Sequence, residues 1–168
     1  MKVALIANNP AIRLLPVGCD LYVHFNGAIH WDKRHVDRRN VIAVRKAWTV
    51  DRAKSWRPYP NTQDPTAEIW AVGWEEDIKA MEDAGATGAN YSIYIDDVSE
   101  WYEPEGKSPT TGWVIMTLLP IIEPGVDIIL VGFDLKAASY YATSKIHNCD
   151  WEINHVAELV RNKIVRRG

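Results

Sequence analysis

A chain of 168 residues is long enough to bury a hydrophobic core but short for two domains, so the sequence predicts a single domain over residues 1–168. Its net charge of −3 argues against a protein that binds nucleic acid through phosphate contacts, because such proteins usually carry a basic surplus. Two cysteines are too few for a disulfide framework, and no run of about 18 apolar residues occurs, so we expect a cytoplasmic protein without an integral membrane segment.

Two β-strands are predicted near the amino terminus, and each ends at asparagine. Residues 3–7 form a short apolar run that stops at Asn8 and Asn9, and residues 20–25 alternate as DLYVHF before Asn26. The Asn-Gly step at the end of the second strand also fits a hairpin turn, and both interpretations stay open. If the strands are parallel neighbours, Asn9 and Asn26 lie side by side at one edge of the sheet.

The middle of the chain alternates predicted strands with a predicted helix. Strands are expected over residues 41–44, 68–73 and 91–95, and a helix over residues 74–84. Residues 46–59 form a basic and aromatic stretch to which the pattern assigns no structure. Strands that alternate with helices are typical of α/β folds, so the sequence predicts a Rossmann-like three-layer sandwich with a mostly parallel sheet.

Two groups of side chains raise the question of a metal site. His24, His30 and His35 do not share one helical face, and no cysteine or carboxylate pattern completes a tetrahedral set around them. Asp96 and Asp97 follow a predicted strand, where paired carboxylates suit Mg²⁺ or Mn²⁺, although aspartate also commonly ends a strand or caps a helix. We therefore expect no metal or other cofactor, and the acidic pair remains the alternative.

A polar turn, a helix and a buried strand are predicted between residues 108 and 134. The helix begins near Thr111 and Gly112, and Pro120 should kink or shorten its last turn. Residues 126–131 are nearly all apolar and mostly β-branched, as in a central parallel strand. The amino end of a helix attracts anions, and in open α/β sheets the ligand binds beyond the carboxyl ends of the strands. This stretch therefore predicts one side of a binding site.

The chain is predicted to close with an amphipathic helix over residues 148–166. Asn148 or Asp150 is the expected N-cap, and the apolar stripe comprises Ile153, Val156, Ala157, Val160 and Ile164. Basic residues near the end are expected to be a solvated helix terminus. His147 lies just before this helix, where the positive end of the helix dipole lowers a histidine pKa and favours the neutral ring that a base needs. A histidine at such a position is also commonly a cap or a bystander.

Four short segments occur in an order that resembles the bacterial CMP-sialic-acid-dependent sialyltransferases. They are Thr111-Gly112, Gly132-Phe133-Asp134, Tyr140-Tyr141 and His147-Asn148-Cys149-Asp150. The first thirty residues are similar more loosely, with an asparagine-rich turn after the first strand where the family has a glycine-containing one.

The resemblance implies transfer of an acidic sugar from a CMP-sugar donor to a hydroxyl of a glycan acceptor, with inversion and without a metal. In this scheme His147 takes the proton of the acceptor hydroxyl. The other residues that the resemblance implicates are Asn8, Asn9 and Asn26 for the nucleotide, Thr111 and Gly112 for the sugar carboxylate or the cytidine, Gly132, Phe133 and Asp134 at the strand end, and Tyr140 and Tyr141 for the leaving phosphate.

Other functions stay open at this point. A metal-dependent nucleotide-sugar enzyme would use Asp96 and Asp97. A non-catalytic module would bind a nucleotide or a glycan without turnover, and an interaction protein would dock through a surface rich in tryptophan. The chain is also shorter than is usual in the family it resembles. A homo-oligomer whose subunits share binding sites is therefore a further possibility.

Overall fold

The computed structural model describes residues 1–45, 64, 66–83, 89–133 and 147–167, and within them the strands form one parallel sheet. The strands are β1 (Lys2–Ile6), β2 (Leu21–Phe25), β3 (Arg39–Val44), β4 (Glu68–Gly73), β5 (Ala89–Tyr94), β6 (Asp127–Val131) and β7 (Val165–Arg167). Their order across the sheet is β5-β4-β3-β2-β1-β6-β7.

The strand order reverses at β1. The chain runs outward from β1 to β5, then returns to place β6 on the other side of β1. Ala4 in β1 is thus paired with Tyr22 of β2 on one side and with Ile129 of β6 on the other. In sheets of this type the crevice at the reversal, beyond the carboxyl ends of the strands, is where ligands bind. Here that crevice lies beyond the ends of β1 and β6.

Helices cover one face of the sheet. The helices are α1 (Glu75–Asp83), the single turn α2 (Asp96–Ser99), α3 (Thr111–Ile122) and α4 (Cys149–Arg161). Trp113 and Ile115 of α3 and Val156 of α4 share a buried cluster with Leu5 of β1 and Val23 of β2. Packing against two strands at once fixes where α3 begins, and hence where its amino end lies.

The opposite face is covered by the segments that follow β1 and β2. Ile12 and Leu15 pack on Ala4 and Ile6, and a single 3₁₀ turn (Trp31–Lys33) brings Trp31 onto β3. With both faces covered, the predicted Rossmann-like α/β sandwich is confirmed, and the described sheet is parallel throughout.

The end of the chain differs from the prediction. Helix α4 stops at Arg161, Lys163 adopts a left-handed backbone with φ of 58°, and Val165–Arg167 pairs with β6 as β7. Ile164 is therefore not on the helix stripe, and Arg166 donates to Asp127 at 2.7 Å across the two strands. Ile164 keeps the apolar spacing but is 40% exposed, whereas Val165 beside it is buried as a strand residue.

Other local expectations are settled by the fold. The Asn-Gly step after β2 is not a hairpin, since β2 and β3 are parallel. Helix α3 is not shortened at Pro120 and continues to Ile122. A single helical turn, α2, follows β5, where the sequence analysis placed no helix. Among the described residues, no helix has the length and apolar character needed to cross a membrane.

Candidate functional site

Asparagine side chains join the strand ends at the reversal. Nδ2 of Asn9 donates to the carbonyl of Gly132 at 3.0 Å, which links β1 to β6. Nδ2 of Asn8 donates to the carbonyl of Phe25 at 2.8 Å, and its Oδ1 accepts from the backbone N–H of Ile29 at 3.3 Å. The two asparagines predicted to contact the nucleotide therefore also form hydrogen bonds within the protein. A ligand would bind to the amide hydrogens and oxygen lone pairs that these internal hydrogen bonds do not use.

Asn26 makes a third bridge, from β2 to β3. Its backbone N–H donates to the carbonyl of Ala43 at 2.8 Å, and its Oδ1 accepts from the backbone N–H of Arg45 at 3.1 Å. The backbone is left-handed here, with φ of 48°, a conformation that asparagine tolerates better than most residues. The structure therefore places Asn8, Asn9 and Asn26 along one edge, as the sequence predicted.

Two glycines predicted at the donor site are needed for packing. Gly132 has φ of 74°, and a Cβ there would collide with Ile12 and lie 3.2 Å from Cβ of Asn9. A Cβ on Gly112 would lie 3.2 Å from the ring of Phe133. Phe133 in turn meets Phe25 edge to face, with ring centroids 6.0 Å apart. These contacts bring the end of β6 against the start of α3.

The amino end of α3 meets a carboxylate of the protein itself. Thr110 caps the helix, since its hydroxyl accepts from the N–H of Trp113 at 3.2 Å. Oε1 of Glu152 accepts from the N–H of Thr110 at 2.9 Å, and Oε2 accepts from the Thr110 hydroxyl at 2.6 Å. The hydroxyl of Tyr102 also donates to Oε1, at 3.0 Å. Glu152 is 6% exposed, and this burial raises its pKa even though all three donors favour the charged form.

A buried arginine lies beside this carboxylate. Arg45, which follows β3 and is 4% exposed, donates from Nη2 to the hydroxyl of Ser108 at 2.6 Å and from Nη1 to the carbonyl of Pro109. Burial lowers its pKa to about 10, and the charges of Asp77 and Glu152 oppose that change. The guanidinium therefore remains positive at neutral pH.

His147 is held by the same turn. Its Nδ1 lies 2.6 Å from the carbonyl oxygen of Ser108. A carbonyl can only accept, so Nδ1 carries the proton and Nε2 of the neutral ring is the basic nitrogen. Burial lowers the pKa of His147, the hydrogen bond to the Ser108 carbonyl acts in the opposite direction, and the positive charge of Arg45 lowers the pKa further. The sequence analysis had attributed this lowering to the dipole of the helix.

Aromatic rings support the start of α4 behind His147. Asn148 caps the helix by accepting from the N–H of Trp151 at 3.2 Å, and its own N–H donates to the hydroxyl of Tyr102 at 3.2 Å. The Tyr102 ring packs edge to face on Trp113 and on Trp151, with centroids 5.1 Å apart in both pairs. The predicted cap at Asn148 is confirmed, and these aromatics serve packing.

The groups considered for metal binding lie elsewhere. Asp96 and Asp97 are exposed in α2, beyond the edge strand β5, which is four strands from β1 and so roughly 19 Å away across the sheet. His30 contacts the carbonyl of Asn9 at 2.8 Å through Nε2, while His24 packs edge to face on the Trp31 ring. Among the described residues, no three histidine, cysteine or acidic side chains form a group that could hold a metal ion.

Three predicted site residues, Asp134, Tyr140 and Tyr141, lie outside the described residues. The sequence analysis in turn missed Arg45, Tyr102 and Glu152. Arg45 follows a buried strand just as Asn26 does, which was the available signal. Glu152 was detectable as a carboxylate one turn into an amphipathic helix, next to positions predicted to be buried.

Contacts connect the two halves of this site. They run from Asn8 through Phe25 and Asn26 to Arg45, and from Arg45 through the Ser108 turn to His147. Comparisons with protein-family models, with curated proteins and with solved structures find no match to this chain. The resemblance to sialyltransferases accordingly rests on the sequence segments and stays a prediction.

Proposed function

We propose that this chain is a glycosyltransferase resembling the sialyltransferases, which transfers an acidic sugar from a CMP-sugar to an acceptor hydroxyl with inversion. The observation that carries the proposal is the state of His147, whose Nδ1 donates to Ser108 and whose Nε2 is therefore the basic nitrogen. Its lowered pKa favours the neutral ring at physiological pH.

The position of the site supports a nucleotide as the ligand. Asn8 and Asn9 follow β1 and Gly132 follows β6, at the reversal of strand order where α/β proteins bind nucleotides. The amino end of α3, with Thr111 and Gly112, lies next to the Ser108 turn that holds His147. A donor bound across this crevice would have its anionic part near this helix start, where Glu152 already accepts from Thr110 and the positive charge of Arg45 lies nearby.

The proposed reaction is a single displacement. The acceptor oxygen forms a bond to the anomeric carbon of the sugar, and the bond from that carbon to the phosphate oxygen breaks, so that CMP leaves with the electron pair. Nε2 of His147 takes the acceptor proton. General-base assistance of this kind accelerates a reaction by roughly 10² to 10⁴.

Binding is tested first, by thermal shift with CMP, CDP, UDP and GDP, each with and without EDTA. A ligand at about a hundredfold excess over its Kd stabilises the folded state by about 2.7 kcal/mol, which is easily seen. We expect a shift with CMP that EDTA leaves unchanged. No shift with any of the four nucleotides would refute the proposal, and a shift that disappears in EDTA would favour a metal-dependent enzyme.

Turnover is tested by release of CMP from CMP-sialic acid in the presence of glycan acceptors. We expect His147→Asn to lose roughly a hundredfold or more of the wild-type rate while still binding CMP. His35→Gln, on the opposite face of the sheet, is the matched control and should retain the rate. Binding of CMP without turnover in the wild type would favour a non-catalytic nucleotide-binding module.

A further inference from the structure

Arg45 forms two hydrogen bonds to the turn that holds His147. Its Nη2 donates to the Ser108 hydroxyl at 2.6 Å and its Nη1 donates to the Pro109 carbonyl. Its own backbone is fixed by the bond from its N–H to Oδ1 of Asn26, at 3.1 Å. The guanidinium therefore connects the ends of β2 and β3 to the turn that leads into α3.

The peptide between Ser108 and Pro109 carries the carbonyl that accepts from His147. Proline has no N–H, so this peptide group cannot be anchored by a backbone donor of its own. The two groups that Arg45 holds, the Ser108 side chain and the next carbonyl, flank this peptide on either side. Loss of these two hydrogen bonds from Arg45 would let the Ser108 carbonyl rotate away from Nδ1 of His147.

We propose that Arg45 is a positioning residue for His147, which holds the Ser108 carbonyl in place so that the ring proton stays on Nδ1 and Nε2 remains the proton acceptor. The consequence for catalysis rests on the proposed function. The statement about the state of the His147 ring does not, because it concerns the protein without substrate.

Lysine could not replace arginine in this role. A planar guanidinium reaches two acceptors at once from a fixed geometry, whereas an ammonium group acts as a point charge on a flexible stem. The charged and titratable groups that act on Arg45 include, among the described residues, Asp77 of α1, Glu152 of α4 and Tyr102, and Arg45 in turn acts on His147. Lysine would thus keep the positive charge near His147 but lose the paired hydrogen bonds to the turn.

The first test is nuclear magnetic resonance of the histidine ring nitrogens in ¹⁵N-labelled protein without ligand, with His147 assigned through His147→Gln. In the wild type we expect the Nδ1–H tautomer and a pKa below the ordinary histidine value. In Arg45→Gln we expect the His147 pKa to rise and the Nε2–H tautomer, which free histidine prefers, to become the main neutral form. Arg45→Lys should show the same change of tautomer with a smaller change of pKa.

The matched control is Arg39→Lys, at the other end of β3. Arg39 is half-exposed and pairs with Glu68 at 2.6 and 2.8 Å, so its replacement should leave the His147 signals unchanged. Ser108→Ala removes one of the two contacts without removing a buried charge, and it keeps the test available if Arg45→Gln does not fold. A partial population of the Nε2–H tautomer in Ser108→Ala is expected, and an unchanged Nδ1–H tautomer in every folded variant would overturn the inference.

Transfer of sugar separates this inference from the proposed function. If the wild type transfers sugar, we expect kcat of Arg45→Lys to fall about tenfold or more, because a misplaced base loses orientation, with little change in the KM of the donor. Full activity in Arg45→Lys would overturn the positioning role while leaving the proposed function in place. If the wild type transfers no sugar but its variants show the predicted change of tautomer, the function fails and the inference about Arg45 stands.

Discussion

His24 should make the folded state sensitive to mild acid. It lies on β2 with 1% of its surface exposed, and neither ring nitrogen has a hydrogen-bond partner among the described residues. The Trp31 ring packs edge to face at 5.2 Å, and Asn40 on the neighbouring strand only partly offsets the effect of burial. Burial lowers the pKa of His24 from 6.5 to about 4. The folded protein therefore holds a neutral ring that the unfolded chain would protonate first.

The sign of the effect follows from where protons bind. Between pH 6.5 and about 4 the unfolded state binds more protons than the folded state, so the free energy of unfolding falls as the pH falls. The contribution of His24 is fully present above pH 6.5 and is lost progressively toward pH 4. Each pKa unit corresponds to about 1.4 kcal/mol, so the full loss is about 3 kcal/mol, a large part of the stability of an ordinary domain.

The assay is urea unfolding followed by tryptophan fluorescence at several pH values between 7.5 and 4, for the wild type and for His24→Phe. Phenylalanine fills a similar space without a titrating group, and it leaves no unsatisfied polar atom. We expect the wild type to lose about 3 kcal/mol more than the variant over this range. Carboxylates titrate in both proteins and cancel in the difference. Parallel pH profiles for the two proteins would refute the reasoning.

Three further predictions, with five substitutions, test the packing at the site and at the end of the chain. Glu152→Gln should cost about 2 kcal/mol in urea unfolding, because an amide cannot accept from all the donors that now face the carboxylate. Gly132→Ala should cost about 2 kcal/mol more than Gly125→Ala; both glycines have a positive φ, but only at Gly132 does a Cβ meet other atoms. Val165→Ala should cost about 2 kcal/mol and Ile164→Ala much less, since Val165 is buried in β7 while Ile164 is 40% exposed. A larger cost at Ile164 than at Val165 would argue for a continued helix rather than a strand.

The fold was largely predictable because its strands are strongly apolar and short. The runs that became β1 to β4 and β6 are each buried along most of their length, which leaves a clear pattern in the sequence. The end of α4 was not predictable from periodicity. The helix stops because Lys163 turns into the left-handed region and Val165 finds a partner in Ile128 of β6, and this pairing depends on the order of strands in the finished sheet.

The site was predictable at the level of position rather than of contacts. Polar residues after buried strands correctly pointed to Asn8, Asn9 and Asn26 at one edge, because that rule depends only on parallel strands. Their hydrogen bonds depend on which strands are neighbours, which the sequence does not state. Arg45 was not singled out in the sequence, because its burial against the Ser108 turn depends on a contact between residues 63 positions apart in the chain.

The start of α3 illustrates why contacts matter for the proposed chemistry. The sequence indicated a free helix end that would attract the carboxylate of a donor sugar. In the structure Glu152 already accepts from the N–H and the hydroxyl of Thr110 at that end. A substrate carboxylate placed there would meet a like charge unless Glu152 were protonated, which its raised pKa makes easier, or unless Arg45 offset it. The charge of the bound donor and the charge of Glu152 are therefore coupled. Replacement of Glu152 by glutamine should change the affinity for the CMP-sugar donor more than it changes the affinity for CMP alone.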